Sequence, residues 1–277
     1  MYNVSFFKNN NFPAGVVFTN NIMKIAVTGK GGVGKTTLSA LLAKLFADQG
    51  KKVFAIDADP DSNLALALGF PHSAQITPLI KMKGLIEERT GSKVGSSYPY
   101  FKLNPKVDDI PEKYFAHHQG IYLAVMGTVR GGGLGCTCAE NAFLKALLRH
   151  LIVEREEVVI LDMEAGIEHL GRGTVEAVDR LVIVVEPGRR SLETACRIKD
   201  LAGEIGILKI GVVGNKIRGS DDEKFILDNL AGFEFLGFLP YREKVVDADL
   251  NNTPFFESCP EILKEGEKIM AKLIQTN

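Results

Sequence analysis

Nine consecutive residues, Gly29-Lys30-Gly31-Gly32-Val33-Gly34-Lys35-Thr36-Thr37, constrain this chain more than any other stretch. The frame Gly29-x-x-x-x-Gly34-Lys35-Thr36 suits a loop wrapped around phosphate. Its glycines let successive backbone N–H groups turn inward, a lysine at the place of Lys35 reaches the β- and γ-phosphates of a nucleoside triphosphate, and a threonine at that of Thr36 ligates Mg²⁺. An apolar run over 24–28 enters the loop, and Leu38, Leu41, Leu42 and Leu45 leave it at helical spacing. The helix N-terminus therefore faces the anion. The second lysine, Lys30, narrows the type of loop further.

The rest of the chain alternates short apolar, β-branched runs with helical patterns, the signature of parallel βαβ units. Strands are expected over 24–28, 53–57, 121–126, 158–162, 181–186, 210–215 and 235–239, and helices over 35–49, 139–153, 190–205, 221–230 and 260–275. The strands read as nearly continuous apolar sequence, as strands buried on both faces do. The expected fold is α/β: a doubly wound, mostly parallel sheet with helices on both faces and ligands at the strand C-terminal ends. One domain over 23–277 is expected, with an insertion around 69–120 that carries too few apolar residues for a core of its own. Residues 1–22 are asparagine-rich, with Lys8 as the single basic residue. They read as a loose tail or an upstream start, because the basic and apolar regions of a signal peptide are missing.

Bulk properties exclude several classes. The 277 residues are 45% hydrophobic, with net charge −1 and a pI of about 6.5. No global field draws the chain to nucleic acid or anionic lipid, and no run of 18 apolar residues suits a membrane span, so a cytoplasmic location is expected. The last helical stretch, 261–273, mixes Lys264, Lys268 and Lys272 with Glu265 and Glu267, which reads as an ordinary solvated face.

Acids fall where phosphoryl chemistry needs them. The second strand runs into Asp57-Ala58-Asp59-Pro60-Asp61-Ser62. Carboxylates beside Mg²⁺ and triphosphate hold metal waters and orient the attacking water, and Asp59 is favoured for the latter role over Asp61. Asp61 or Ser62 also suits capping of the helical turn over 63–68. Asp162 ends the run Val158-Val159-Ile160-Leu161, where an acid beside the phosphate loop can hold Mg²⁺ through water. Asn215 ends a strand where an amide could meet an adenine base, although a turn-favouring Asn fits there equally. Pro240 and Arg242 could close the opposite side of the base.

Four cysteines in such a chain argue for metal or redox chemistry rather than a disulfide framework. Cys136-Thr137-Cys138 follows a glycine-rich run and could clamp one soft metal, Ni²⁺ or Zn²⁺. A closed tetrahedral site needs four ligands. Cys196 reads as buried structure and Cys259 has no evident ligand neighbour, so a second chain on a two-fold axis is the economical completion.

With Lys30 in place, the loop resembles that of the deviant Walker A ATPases, among them the nitrogenase iron protein and the septum-site and plasmid-partition ATPases. The resemblance covers 23–277. It implies a homodimer sandwiching two ATP molecules, with Lys30 reaching the partner's nucleotide. It also implies that Asp59 and Asp61 lie in a first switch and that 162–166, ending in Gly166, opens a second. The Cys136/Cys138 loop, with Asp162-Met163-Glu164-Ala165-Gly166-Ile167-Glu168-His169-Leu170-Gly171-Arg172-Gly173-Thr174, further resembles the carbon monoxide dehydrogenase accessory ATPases. That implies nickel insertion, with carbon monoxide dehydrogenase as client and Cys136 and Cys138 of two protomers binding Ni²⁺ or Zn²⁺. An iron–sulfur electron carrier is disfavoured, because the position of the iron protein's second cluster cysteine holds His169 here. A DNA- or membrane-positioning ATPase lacks its basic face.

Overall fold

The computed structural model describes residues 23–59, 61–93, 100–127, 138–155, 157–166 and 178–275. The elements in chain order are β1 (Met23–Gly29), α1 (Lys35–Asp48), β2 (Val53–Asp57), α2 (Leu64–Ala67), α3 (Lys83–Thr90), α4 (Ile110–Tyr114), β3 (Ala116–His118), β4 (Ile121–Val125) and α5 (Cys138–Arg149). They continue with β5 (Val158–Asp162), β6 (Arg180–Val185), α6 (Arg189–Ile205), β7 (Ile210–Ile217), α7 (Ser220–Asn229), β8 (Glu234–Pro240), α8 (Glu243–Leu250), α9 (Phe255–Ser258) and α10 (Glu261–Gln275).

One eight-stranded sheet has the order β3-β4-β2-β5-β1-β6-β7-β8. Every pairing is parallel except β3 with β4, a short antiparallel edge that the sequence did not announce. Strands β1, β2, β5 and β6 are buried at every residue. That burial explains their nearly continuous apolar character, broken only near their ends by Lys24, Thr28, Asp57, Asp162 and Arg180, since helices cover both faces of a parallel sheet. Each fully buried Val, Leu or Ile side chain contributes roughly 1.5–3 kcal/mol.

One buried cluster holds α1 and α10 against one face of the sheet, and another holds α5 and α6 against the other. Helix α10 places Ile262, Ile269, Met270 and Leu273 inward. The segment over 69–120 spends its apolar residues on the shared sheet rather than on itself: Leu79, Leu85, Ile86, Val107, Ile110 and Phe115 all join the α5–α6 cluster.

The expected helix over 139–153 is two pieces. Helix α5 gives way at His150–Glu154 to a π turn. Cys196 is exposed, contrary to the sequence expectation. Helix α6 buries Ser191, Leu192, Ala195, Ile198 and Ala202, and the residue after Ala195 points about 100° away from that stripe. Helix α10 is not a purely solvated face either, because Glu265 is half-buried and accepts a 2.7 Å hydrogen bond from Arg242.

Order along the sheet reverses beside β1, which lies between β5 and β6. Ligands of open α/β sheets bind at such a crevice, beyond the strand C-terminal ends. The glycine loop leaves β1 at this point.

Candidate nucleotide site

Two glycines in the loop have no substitute. Gly29 has φ 147°, and a Cβ there would stand 2.3 Å from the Val184 carbonyl oxygen on β6. Gly34 has φ 95°, and its Cβ would collide with Asn215 Nδ2 at 2.1 Å. Both are positive-φ positions that only glycine adopts freely, so the loop is shaped by its contacts with β6 and β7. Helix α1 starts at Lys35 with no acidic residue in its first turn, leaving its positive end for an anion.

Register assembles the acids. Asp162 lies opposite Val27 on one side and Asp57 on the other, so both carboxylates end adjacent strands next to the loop. Both are fully buried. Burial pushes Asp57 up to about 7, with a further push from Asp162. Burial also pushes Asp162 up to about 6, against hydrogen bonds from the Thr36 and Ser39 hydroxyls and the charge of Lys35. Ser39 Oγ donates to Asp162 Oδ1 at 3.0 Å. Asp162 Oδ2 is buried without a hydrogen-bond partner among the described residues. A buried carboxylate oxygen left open beside a threonine hydroxyl fits Mg²⁺ with its water shell.

Asp57 carries a structural task that the sequence had given to Asp61 or Ser62. Its Oδ2 accepts the Leu64 N–H at 3.0 Å, fastening the start of α2, and its Oδ1 accepts the Asp59 N–H at 3.2 Å. Asp59 stands half-exposed, with its carboxylate 3.8 Å from Lys35 Nζ. Asp61 is exposed, and its N–H donates to Asp59 Oδ1 at 3.0 Å. Of these two acids, the fold therefore brings Asp59 to the loop lysine and leaves Asp61 at the surface. Lys30 is half-buried, and among the described residues its ammonium makes no ion pair.

Thr28, fully buried at the end of β1, was not singled out in the sequence. Its hydroxyl lies 2.8 Å from the Gly166 carbonyl oxygen and 3.1 Å from that of Glu164, while the Gly166 N–H lies 3.3 Å from Thr28 Oγ1. The strand that feeds the phosphate loop is thereby fastened to the turn following Asp162. A hydroxyl at the loop end of a strand whose preceding residues Ile25, Ala26 and Val27 are apolar was the available signal.

Beyond the phosphate end lies a cavity of about 300 Å³. Its lining includes Thr37, Asn63, Asn215, Pro240, Arg242 and Phe255. The expected base-side residues thus share one wall, and α8 and α9, absent from the sequence reading, supply another part of it. Asn215 is buried and donates from Nδ2 to the Val33 carbonyl oxygen at 2.8 Å, so at least one amide proton serves the loop itself.

Cys136 lies outside the described residues, as does 167–174 of the second motif, including His169. Cys138 opens α5, but its side chain is not among those described. Among the described residues no group of three or more His, Cys, Asp or Glu could hold a metal ion, and no helix is long and apolar enough to cross a membrane.

Comparison with known proteins agrees with this geometry. Residues 24–255 match the CobQ/CobB/MinD/ParA nucleotide binding domain family. The chain is 48% identical to the carbon monoxide dehydrogenase accessory protein CooC of Rhodospirillum rubrum, over 91% of this chain and 97% of that one. It is 49% identical to an uncharacterized ATP-binding protein of Methanocaldococcus jannaschii, over 91% and 98% of the two chains. The MinC:MinD cell division protein complex of Aquifex aeolicus contains a chain with the same fold, with a TM-score of 0.65 at 23% identity, covering 91% of this chain and 96% of that one. The chain belongs to the CobQ/CobB/MinD/ParA nucleotide-binding family, in the group that includes the carbon monoxide dehydrogenase accessory protein.

Proposed function

We propose that this protein is an ATP-hydrolysing maturation factor that assists nickel insertion into carbon monoxide dehydrogenase. Its cargo, Ni²⁺ or Zn²⁺, is held by Cys136 and Cys138 of two protomers. The observation that carries the reading is the loop with its acids: Lys35, Asp59 and the open oxygen of Asp162 converge on one crevice, in a chain 48% identical to an accessory protein of that enzyme.

In this reading the loop N–H groups and Lys35 bind the β- and γ-phosphates, while Asn215, Pro240 and Arg242 border the adenine. Thr36 and Asp162 would hold Mg²⁺, Asp162 through water, as would Asp59 on the same terms. Bound there, Mg²⁺ neutralises charge that develops on the phosphates. Asp59 orients a water for in-line attack: a bond forms from the water oxygen to the γ-phosphorus, the bond to the β-bridging oxygen breaks, and ADP leaves. Lys30 reaches the nucleotide of the opposite protomer, so ATP draws two chains together.

Loss of the γ-phosphate is felt by the segment after Asp162, which Thr28 ties to β1. Closure of the dimer brings the two Cys-x-Cys loops together. Linkage then requires bound metal to favour the dimer in return.

Replacing Cys136 and Cys138 together by Ala should remove one Ni²⁺ or Zn²⁺ per dimer, measured by elemental analysis, and leave ATP binding intact. Stoichiometric metal in that variant would refute the interface site. A brown wild-type protein whose visible absorbance bleaches on reduction would instead favour an iron–sulfur redox role.

A further inference from the structure

Lys216 takes a left-handed conformation, φ 58°, within β7, where pairing with β8 is irregular between Gly214 and Ile217. A side chain there is strained, so the conformation needs a compensating contact. Successive side chains of a regular strand point to opposite faces, and Asn215 and Lys216 could not then reach the same target. The left-handed residue breaks that alternation. Asn215 Nδ2 donates to the Val33 carbonyl oxygen at 2.8 Å, and Lys216 Nζ donates to the Gly32 carbonyl oxygen at 2.6 Å. The same ammonium lies 2.9 Å from Glu186 Oε2, and the Glu186 backbone N–H is held by Ser191 Oγ at 3.1 Å.

Two consecutive loop carbonyls are thus gripped from outside by two consecutive side chains. A trans peptide is planar, and its C=O and N–H point in opposite directions. Holding the Gly32 and Val33 carbonyls outward therefore turns the N–H groups of Val33 and Gly34 toward the concave side of the loop. The Val33 N–H indeed faces the Lys30 carbonyl oxygen, at a long 3.4 Å. A phosphate oxygen would displace so weak a contact.

We propose that Lys216 is a positioning residue for the phosphate loop, presetting with Asn215 the N–H groups that receive a phosphate, while Glu186 fixes its ammonium on the loop. The proposal rests on the reading of this loop as the nucleotide site. Lys216 shapes the loop before ligand arrives, so its effect falls on binding and is carried equally into the transition state.

The test uses the full-length protein with Mg·ATP and, separately, inorganic pyrophosphate as calorimetric probes. Lys216→Met should weaken both by about tenfold to a hundredfold, the range expected for a lost hydrogen bond to a charged group. KM for ATP should rise similarly, with kcat at saturation kept within about twofold. Lys216→Arg should recover much of the affinity. Lys216→Gly, free of backbone strain, should melt no lower than Lys216→Met yet bind as weakly, which separates positioning from folding. Wild-type affinity in Lys216→Met, or a fall in kcat without a change in binding, would overturn the proposal. Failure of the wild-type protein to bind either probe would overturn the reading of the loop itself.

Discussion

The two ends of the sheet treat carboxylates in opposite ways. At the strand C-terminal ends, Asp57 and Asp162 are fully buried and pushed up to about 7 and about 6, chiefly by burial. At the N-terminal ends, the carboxylates are surrounded by cations. Arg155 bonds Glu157 and Glu112 at 2.6 Å each, and Lys52 bonds Glu112 at 3.1 Å. Burial pushes Glu112 up, yet its hydrogen bonds from Lys52 and Arg155 leave it below the ordinary range. Lys24 adds two 2.8 Å bonds from its ammonium to the Arg155 and Glu157 carbonyl oxygens, fixing the base of β1. One end is closed on itself and the other is left incomplete. Incompleteness is what a site for a charged ligand requires, since groups already paired have nothing to give it.

The largest expected effect breaks the incomplete end. Asp162→Asn should reduce ATP hydrolysis by at least a hundredfold, measured as phosphate release at saturating Mg·ATP, a loss in the range of a removed electrostatic group. The same change should stabilise the nucleotide-free protein. A carboxyl whose folded pKa is raised holds its proton longer when folded, so stability is full below about pH 4 and declines as pH rises through about 6. Urea unfolding at pH 8 should therefore show Asp162→Asn more stable than wild type by an amount on the order of 1–3 kcal/mol, with the gap narrowing at pH 5 and closing only below about pH 4. Equal stability at pH 8 would place the burden of the buried acid elsewhere.

A smaller effect is expected at the closed end. Arg155→Met should destabilise by about 1–2 kcal/mol in urea, because Glu157 and Glu112 lose a partner, while kcat and KM for ATP stay unchanged. Here the sign is reversed. A carboxylate held low adds stability above its unfolded pKa and loses it as pH falls below about 4, so the penalty should fade in acid. A change in nucleotide affinity would mean that the two ends are coupled.

These contrasts were unevenly legible in the sequence. The seven expected strands are all present, because parallel strands of a covered sheet write themselves as nearly continuous apolar runs. The edge strand Ala116-His117-His118 is too short and too polar to leave such a mark. The loop and the acid of β5 were readable from motif and spacing. Among the three acids over 57–61, the sequence favoured Asp59 over Asp61 but gave Asp57 no task of its own. Asp57 is still in register with Asp162 and so points inward, whereas Asp59 stands beyond the strand and meets Lys35. Lys216 left only an Asn-Lys pair at a strand end. Its role depends on a left-handed residue that no periodicity encodes. Helices α8 and α9 shape the cavity beside the loop through packing on distant parts of the chain, which local patterns do not report.

The most direct test of the proposed cycle is the mass of the protein in solution. Sedimentation with Mg²⁺ and a nonhydrolysable ATP analogue should give a dimer carrying one bound Ni²⁺ or Zn²⁺. The nucleotide-free protein should dissociate more readily and hold the metal less tightly. A monomer at saturating analogue and metal, or metal affinity indifferent to nucleotide, would contradict the ATP-gated dimer.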